Sequence, residues 1–346
     1  MNRNNLWQTS WQAARQAVLP PSVAEFWLNQ LHPRWSWSRP LASVVARQPL
    51  GTSLVSLVLR PNRHVTGFEP GQHVNVSLSV GGVRCTRSYS PSPVPGRPDC
   101  FAITVKRIPG GRVSEWLCQH ADVGTVLDVG PAYGEMTLPP GAWTALAAGS
   151  GITPFISLLR AADTCSTAPV SLHWWVRTRD EAGFAAELEA LAQRWPAFRW
   201  QLHVTGEGAG RIGSALAQDL TGQVLACGPQ GFVEQAQALA VDRDLPFLGE
   251  SFFVPLPVQT AGAPVQVHLA RSGRTLTLPS GVALLPALEA EGLQPAYGCR
   301  RGICNTCVCD KTAGRSRDLL SGQLDTQAGA MRLCISSAES DLTLDL

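Results

Sequence analysis

A chain of 346 residues, 45% hydrophobic and 16% charged, can bury two or three separate cores and shows none of the polar bias of a disordered protein. The net charge of +2 comes without any long Lys/Arg run, which removes the charge-based case for a nucleic-acid surface. No stretch of roughly eighteen apolar residues is present, so no spanning helix is expected. The opening MNRNNLWQTSWQAARQ has polar residues where a signal peptide needs its apolar core. An intracellular protein is expected, where disulfides rarely persist.

In chain order, residues 1–40 form a Trp-rich, proline-broken extension ending in HPRWSW. Trp7 and Trp11 stand four apart on a short helix pattern, and Phe26, Trp27 and Leu31 cluster in AEFWLNQL. Such a stretch packs on its own protein or lies at a membrane interface. Residues 41–140 carry SLVSLVLR, HVNVSLSV and FAITVKR between Pro and Gly, the period and spacing of an antiparallel β-barrel. After Pro139-Pro140-Gly141 the pattern changes. In residues 141–254, TALAAG, PVSLHWWV and GQVLACG each precede a helix-like stretch, which predicts an α/β domain on a parallel sheet. Residues 255–264 read as a linker. Residues 265–346 return to strands (VQVHLA, RTLTL) with one short helix, VALLPALEA, a small α+β unit.

The last unit contains YGCRRGICNTCVC. Cys299, Cys304 and Cys307 have the spacing C-x4-C-x2-C, and Cys334 follows 27 positions later, the plant-type [2Fe–2S] ligand pattern. Structural zinc draws on paired Cys-x2-Cys motifs or histidines, and only one such pair stands here. Gly298 and Gly302 suit a loop that curls around a cluster, because glycine accepts positive φ. Cys309 reads as structural, facing away from the cluster. Arg300 and Arg301 flank the ligands, either solvated or involved in docking an electron acceptor.

Two glycine turns mark the α/β domain. AAGSGITPF places Gly149 and Gly151 after a strand, where backbone can approach a phosphate, with the N-terminus of a helix expected after Pro154. ACGPQGF makes a second such turn, and two of them at strand ends form the ligand crevice of open α/β sheets. In the barrel, RCTRSYSP offers Arg87 to a phosphate, Tyr89 to a flat ring and Ser90 as a small hydroxyl. In GGRVSEW, Ser114 reads as a helix N-cap behind Gly110-Gly111.

Together these motifs resemble the ferredoxin–NADP reductase superfamily, in its branch of single-chain oxygenase and desaturase reductases with a C-terminal ferredoxin. The resemblance covers about residues 40–346. It implies a barrel flavin domain, an α/β nucleotide domain and a β-grasp ferredoxin domain. It further implies that Arg87, Tyr89 and Ser90, with Gly111, Val113 and Ser114, hold FAD, the related cofactor of some relatives being FMN. Gly149, Gly151, Thr153, Pro154, Gly228 and Pro229 match its pyridine-nucleotide loops. Ser90, Cys227, Glu250 and Phe252 match the catalytic positions around the flavin and nicotinamide, with Phe252 covering the flavin face. Cys299, Cys304, Cys307 and Cys334 match its cluster ligands. Relatives often carry an aromatic after a Gly-Pro-x-Gly turn, where this chain has Gly130-Pro131-Ala132-Tyr133-Gly134. Arg177 and Arg179, after HWWV, lean the nucleotide towards NADPH.

The expected activity is electron transfer from NAD(P)H through FAD and [2Fe–2S] to an oxygen-activating partner. The N-terminal extension ending in HPRWSW is similar to that of reductases serving membrane di-iron fatty-acyl desaturases, and the resemblance implies such a partner first, with a cytoplasmic site at the inner membrane face. The alternative partner is a soluble Rieske or di-iron oxygenase. A non-catalytic redox sensor is the remaining reading.

Overall fold

The computed structural model describes residues 35–162, 164–252 and 262–346. Trp7, Trp11, Phe26, Trp27 and Leu31 lie outside the described residues, as does most of the expected linker. Of the HPRWSW stretch, Trp35 and Trp37 are described and both are exposed.

The first module contains β1 (Leu41–Leu50), β2 (Leu54–Pro61), β3 (His73–Val80), β4 (Val83–Tyr89), β5 (Pro91–Pro93), β6 (Phe101–Lys106), α1 (Arg112–His120) and β7 (Val126–Tyr133). Its strands pair antiparallel in the order β4-β3-β7-β1-β2-β6-β5. The sheet wraps one core that includes Val44, Leu57, Leu59, Val76, Ile103 and Val105, and α1 closes it with Val113 and Leu117. The two edges of this sheet are β4 and β5, and the chain crosses directly from one to the other at Ser90. The hydroxyl expected to be functional therefore sits on the seam, outside the β-ladder.

The second module contains β8 (Trp143–Ala148), α2 (Ile152–Ala161), β9 (Val170–Val176), α3 (Ala185–Arg194), β10 (Phe198–Val204), β11 (Gln223–Gly228), α4 (Gln230–Val241) and β12 (Phe247–Ser251). All strands are parallel, in the order β10-β9-β8-β11-β12. Strand order reverses between β8 and β11, so the crevice beyond their carboxyl ends is the expected ligand position. Separate hydrophobic clusters fill the two faces, as a sheet covered by helices on both sides requires. The first two modules meet where Ser157 Oγ donates to the Pro91 carbonyl at 2.7 Å. Beside it, Arg160 Nη1 donates to Ser92 Oγ at 2.9 Å.

The third module contains β13 (Pro264–Leu269), β14 (Arg274–Pro279), α5 (Leu284–Ala290), β15 (Val308–Ala313), β16 (Ser316–Asp318), β17 (Leu324–Asp325), β18 (Gly329–Arg332), β19 (Ser336–Ala338) and β20 (Leu342–Leu344). A mixed sheet ordered β14-β13-β20-β15-β18 grips α5 through Leu284, Leu285 and Leu288, with a small sheet β17-β16-β19 beside it. The module begins slightly earlier than its sequence predicts, because Gly262 N already donates to the Ser280 carbonyl at 3.0 Å. Lys311 is fully buried. Its Nζ donates to the Asp325 carbonyl at 2.8 Å and Ser316 Oγ at 3.0 Å, and lies 3.3 Å from the Asp325 carboxylate. These bonds offset the cost of taking the ammonium out of water and tie β15 to the β16–β17 hairpin.

Candidate electron-transfer site

Ser90 is 6% exposed and stands between two modules. Its Oγ is 3.1 Å from His73 Nδ1, and Thr153 Oγ1 of α2 donates to it at 3.4 Å. The far nitrogen of His73, Nε2, contacts the Glu250 carboxylate on β12. A continuous chain of polar atoms thus runs Ser90–His73–Glu250, joining the barrel seam to the end of the nucleotide sheet. Glu250 is the parallel-ladder partner of Cys227 on β11. Burial pushes the Cys227 thiol well above its usual range, and the Glu250 carboxylate adds to that, so Cys227 stays neutral. Phe252 N donates to the Gly228 carbonyl at 3.0 Å, and its ring is 45% exposed. Ser90, Thr153, Cys227, Glu250 and Phe252, distant in sequence, are brought together as expected. His73 is the member that sequence reading missed: GQHVNV was read only as a strand.

The nucleotide loops take their shape from close backbone contacts. Gly149 has φ +56, and a Cβ added at Gly151 would stand 2.1 Å from the Cys227 carbonyl oxygen. Side chains are excluded where the two loops meet. The helix begins at Ile152, earlier than expected, with Pro154 buried as its third residue; a proline in the first turn sacrifices no helical hydrogen bond. From the barrel side, Lys106 Nζ reaches this loop, 3.7 Å from where a Gly149 Cβ would lie, and pairs with Glu181 Oε2 at 3.3 Å. A cation and a helix N-terminus at one glycine turn suit a pyrophosphate.

Arg87 is exposed, its Nη1 donating to the Thr86 carbonyl at 2.7 Å with its remaining donors open to a phosphate. Tyr89 packs against the barrel core, and burial pushes its hydroxyl well above the usual range. Ser114 does not cap a helix. The N-cap of α1 is Gly111, and Ser114 is the third helical residue, its Oγ donating to the Gly111 carbonyl at 3.2 Å and accepting from Ile108 N at 3.3 Å. A Cβ at Gly111 would strike Ser114 Oγ at 2.4 Å. The N–H groups of the first turn, including Val113, remain as anion donors.

In the third module the four expected sulfurs face one another in two pairs. Cys304 and Cys299 interact, which holds the Cys304 thiol down at about 4 and pushes Cys299 up. Cys307 and Cys334 form the second pair, with Cys307 lowered to about 7. Backbone N–H groups of Cys299 and Arg301 donate to the sulfurs of Cys304 and Cys299 at 3.2 and 3.3 Å. Among the described residues no three metal-binding side chains converge on one point as a mononuclear ion needs. Two sulfur pairs fit the two irons of a [2Fe–2S] cluster. The loop uses positive φ at Gly302 (+77), Arg300 (+57) and Asn305 (+53), and not at Gly298, whose glycine has another cause described below. Cys309 belongs to the same buried core as Cys307. A strand's alternation does not turn it away, but its sulfur is taken by the Asp310 carbonyl at 3.7 Å, and burial raises its thiol to about 11.

Comparison with known proteins agrees with this geometry. Residues 46–138 match the model of the oxidoreductase FAD-binding domain, 145–238 that of the oxidoreductase NAD-binding domain, and 267–339 that of the 2Fe-2S iron-sulfur cluster binding domain. An NADPH oxidoreductase of Mycobacterium tuberculosis is 31% identical over 97% of this chain and 93% of its own length. The chain belongs to the ferredoxin–NADP reductase superfamily. Within it, the phenoxybenzoate dioxygenase subunit beta of Ectopseudomonas oleovorans is 32% identical, covering 81% of this chain and 88% of that protein. The solved structure of phthalate dioxygenase reductase superposes with a TM-score of 0.60 at 22% identity, covering 88% of this chain and 97% of that one. The protein is a reductase of FAD, [2Fe–2S] and NAD(P)H, with the three cofactor modules in the family's order.

Proposed function

We propose that this reductase is the electron-supplying component of an oxygenase, taking hydride from NADPH and delivering single electrons to an oxygen-activating partner. When bound, FAD supplies the conversion between two-electron and one-electron chemistry and [2Fe–2S] the single-electron carriage. The chain supplies position. Gly149, Gly151 and the N-terminus of α2, with Lys106, bind the nucleotide's pyrophosphate. Cys227 and Gly228 give the nicotinamide a wall without competing charge. Ser90, fixed by His73 and Thr153, would present its hydroxyl to a bound flavin, and Glu250 holds His73 from behind. Phe252, half-exposed beyond β12, would cover the face of a bound flavin and would have to yield it to a nicotinamide. Arg87, Val113 and Ser114 carry the FAD phosphates, and Arg177 reads the 2′-phosphate.

The observation that carries the reading is likeness to dioxygenase components across all three modules, not one domain alone. It favours an oxygenase over the desaturase suggested by the N-terminal tryptophans. No described helix is long and apolar enough to cross a membrane. The test is a deletion of the gene in its host. Oxygenated products of fed aromatic substrates should be lost from the metabolite profile, with monounsaturated acyl chains unchanged. Loss of those acyl chains, restored by the intact gene but not by Cys304→Ser, would replace the oxygenase with a membrane desaturase.

A further inference from the structure

The cluster loop is seated on the other two modules at two defined points. On the barrel, Asn75 is 8% exposed, and its Oδ1 is occupied: Ser88 Oγ donates to it at 2.9 Å, and Tyr133 Oη lies 3.1 Å from it and 2.5 Å from Ser88 Oγ. With its oxygen taken, the carboxamide must present Nδ2 outward. That Nδ2 donates to Thr306 Oγ1 at 3.1 Å, between ligands Cys304 and Cys307. Gly298 makes the approach possible. A Cβ there would stand 2.4 Å from Asn75 Nδ2 and 2.8 Å from Cys304 Sγ, which accounts for a glycine without positive φ.

On the nucleotide module, Arg301 is 9% exposed and donates through Nη1 to the Ser251 carbonyl, between Glu250 and Phe252. No carboxylate pairs with it among the described residues. A buried cation is costly unless it is anchored, and this one is placed at the joint of all three modules.

We propose that Asn75 and Arg301 are positioning residues that lock the cluster loop against the flavin barrel, Asn75 through Thr306 and Arg301 through the strand end carrying Glu250 and Phe252. With FAD and [2Fe–2S] bound, the lock would fix the separation of the two cofactor sites and so the rate of one-electron transfer from flavin to cluster. It is independent of which partner later oxidises the cluster.

The experiment uses the full-length holoprotein with Asn75→Ala, Thr306→Val and Thr306→Ser, each shown to hold its cluster by electron paramagnetic resonance of the dithionite-reduced form. Mixed with NADPH in a stopped-flow instrument, Asn75→Ala and Thr306→Val should bleach flavin within twofold of wild type but reduce the cluster at least tenfold more slowly. Thr306→Ser, which keeps the acceptor oxygen, should restore the rate. Hydrogen exchange of residues 126–136 should rise in Asn75→Ala. Cluster reduction within twofold of wild type in both deficient variants would overturn the proposal. So would an equal fall in flavin bleaching, which would make Asn75 a determinant of the flavin site instead.

Discussion

Glu207 grips the guanidinium of Arg179 with both carboxylate oxygens, each 3.0 Å from Nε, beyond the ends of β9 and β10. Of the two arginines that follow β9, Arg179 is therefore already neutralised, and Arg177 is exposed with its charge available. The pair itself is exposed and contributes little to stability. Arg177→Ala should raise KM for NADPH about tenfold and leave NADH unchanged, since one charge-assisted contact to a phosphate is lost. Arg179→Ala should change either constant less than twofold. Steady-state kinetics with both nucleotides decides the matter.

His73 touches both Ser90 and Glu250, the two groups that the proposed reading places at hydride delivery. Replacing it with alanine leaves Ser90 and Glu250 without their bridge, and a misplaced hydroxyl at the reacting centre is expensive. His73→Ala should slow NADPH-dependent flavin bleaching by about tenfold or more, with the nucleotide's Kd within twofold of wild type. Single-turnover traces at saturating NADPH measure both.

Gly151 leaves no room for a methyl group beside the Cys227 carbonyl. Gly151→Ala should cost about 3 kcal/mol in urea unfolding because only backbone can yield. Gly231→Ala, whose added carbon meets nothing within 4 Å, is the control and should be neutral or slightly stabilising.

Acid should weaken the nucleotide module at a defined place. His173 Nδ1 lies 3.2 Å from His203 Nε2, and Trp175 stacks on His203 at 4.2 Å. Burial, reinforced by His203, lowers His173 from 6.5 to about 4. The unfolded chain takes up a proton that the native state refuses, so this contribution is complete above pH 6.5 and lost progressively as pH falls towards 4. About 2 kcal/mol should be gone at pH 5 relative to pH 8. His173→Gln should flatten that part of the thermal-unfolding profile.

The grouping of Cys299, Cys304, Cys307 and Cys334 was legible because a spacing of C-x4-C-x2-C with a distant fourth cysteine is itself a chemical pattern, and the parallel sheet because strand and helix stretches alternate along residues 141–254. His73, Asn75 and Lys106 were not. Each sits on a correctly expected strand, where a period-two pattern assigns a face but cannot say which other module will cover it. Gly298 shows the same limit, since its glycine answers a contact with residue 75, which no local rule connects to it. Ser114 was misplaced for a local reason: a serine just inside a helix and one just before it look alike until the backbone of Gly111 is seen.

The chain has only two lysines, Lys106 and Lys311, its other cations being arginines. One stands at the nucleotide loop, 31% exposed, and the other has no exposed side-chain surface. An amine-acylating reagent read by mass spectrometry therefore has two internal targets with separate meanings. Acylation at Lys106 should be blocked when NADP(H) is bound, and acylation at Lys311 should appear only once the β-grasp opens. A single labelling time course thus reports cofactor occupancy and local unfolding from the same sample.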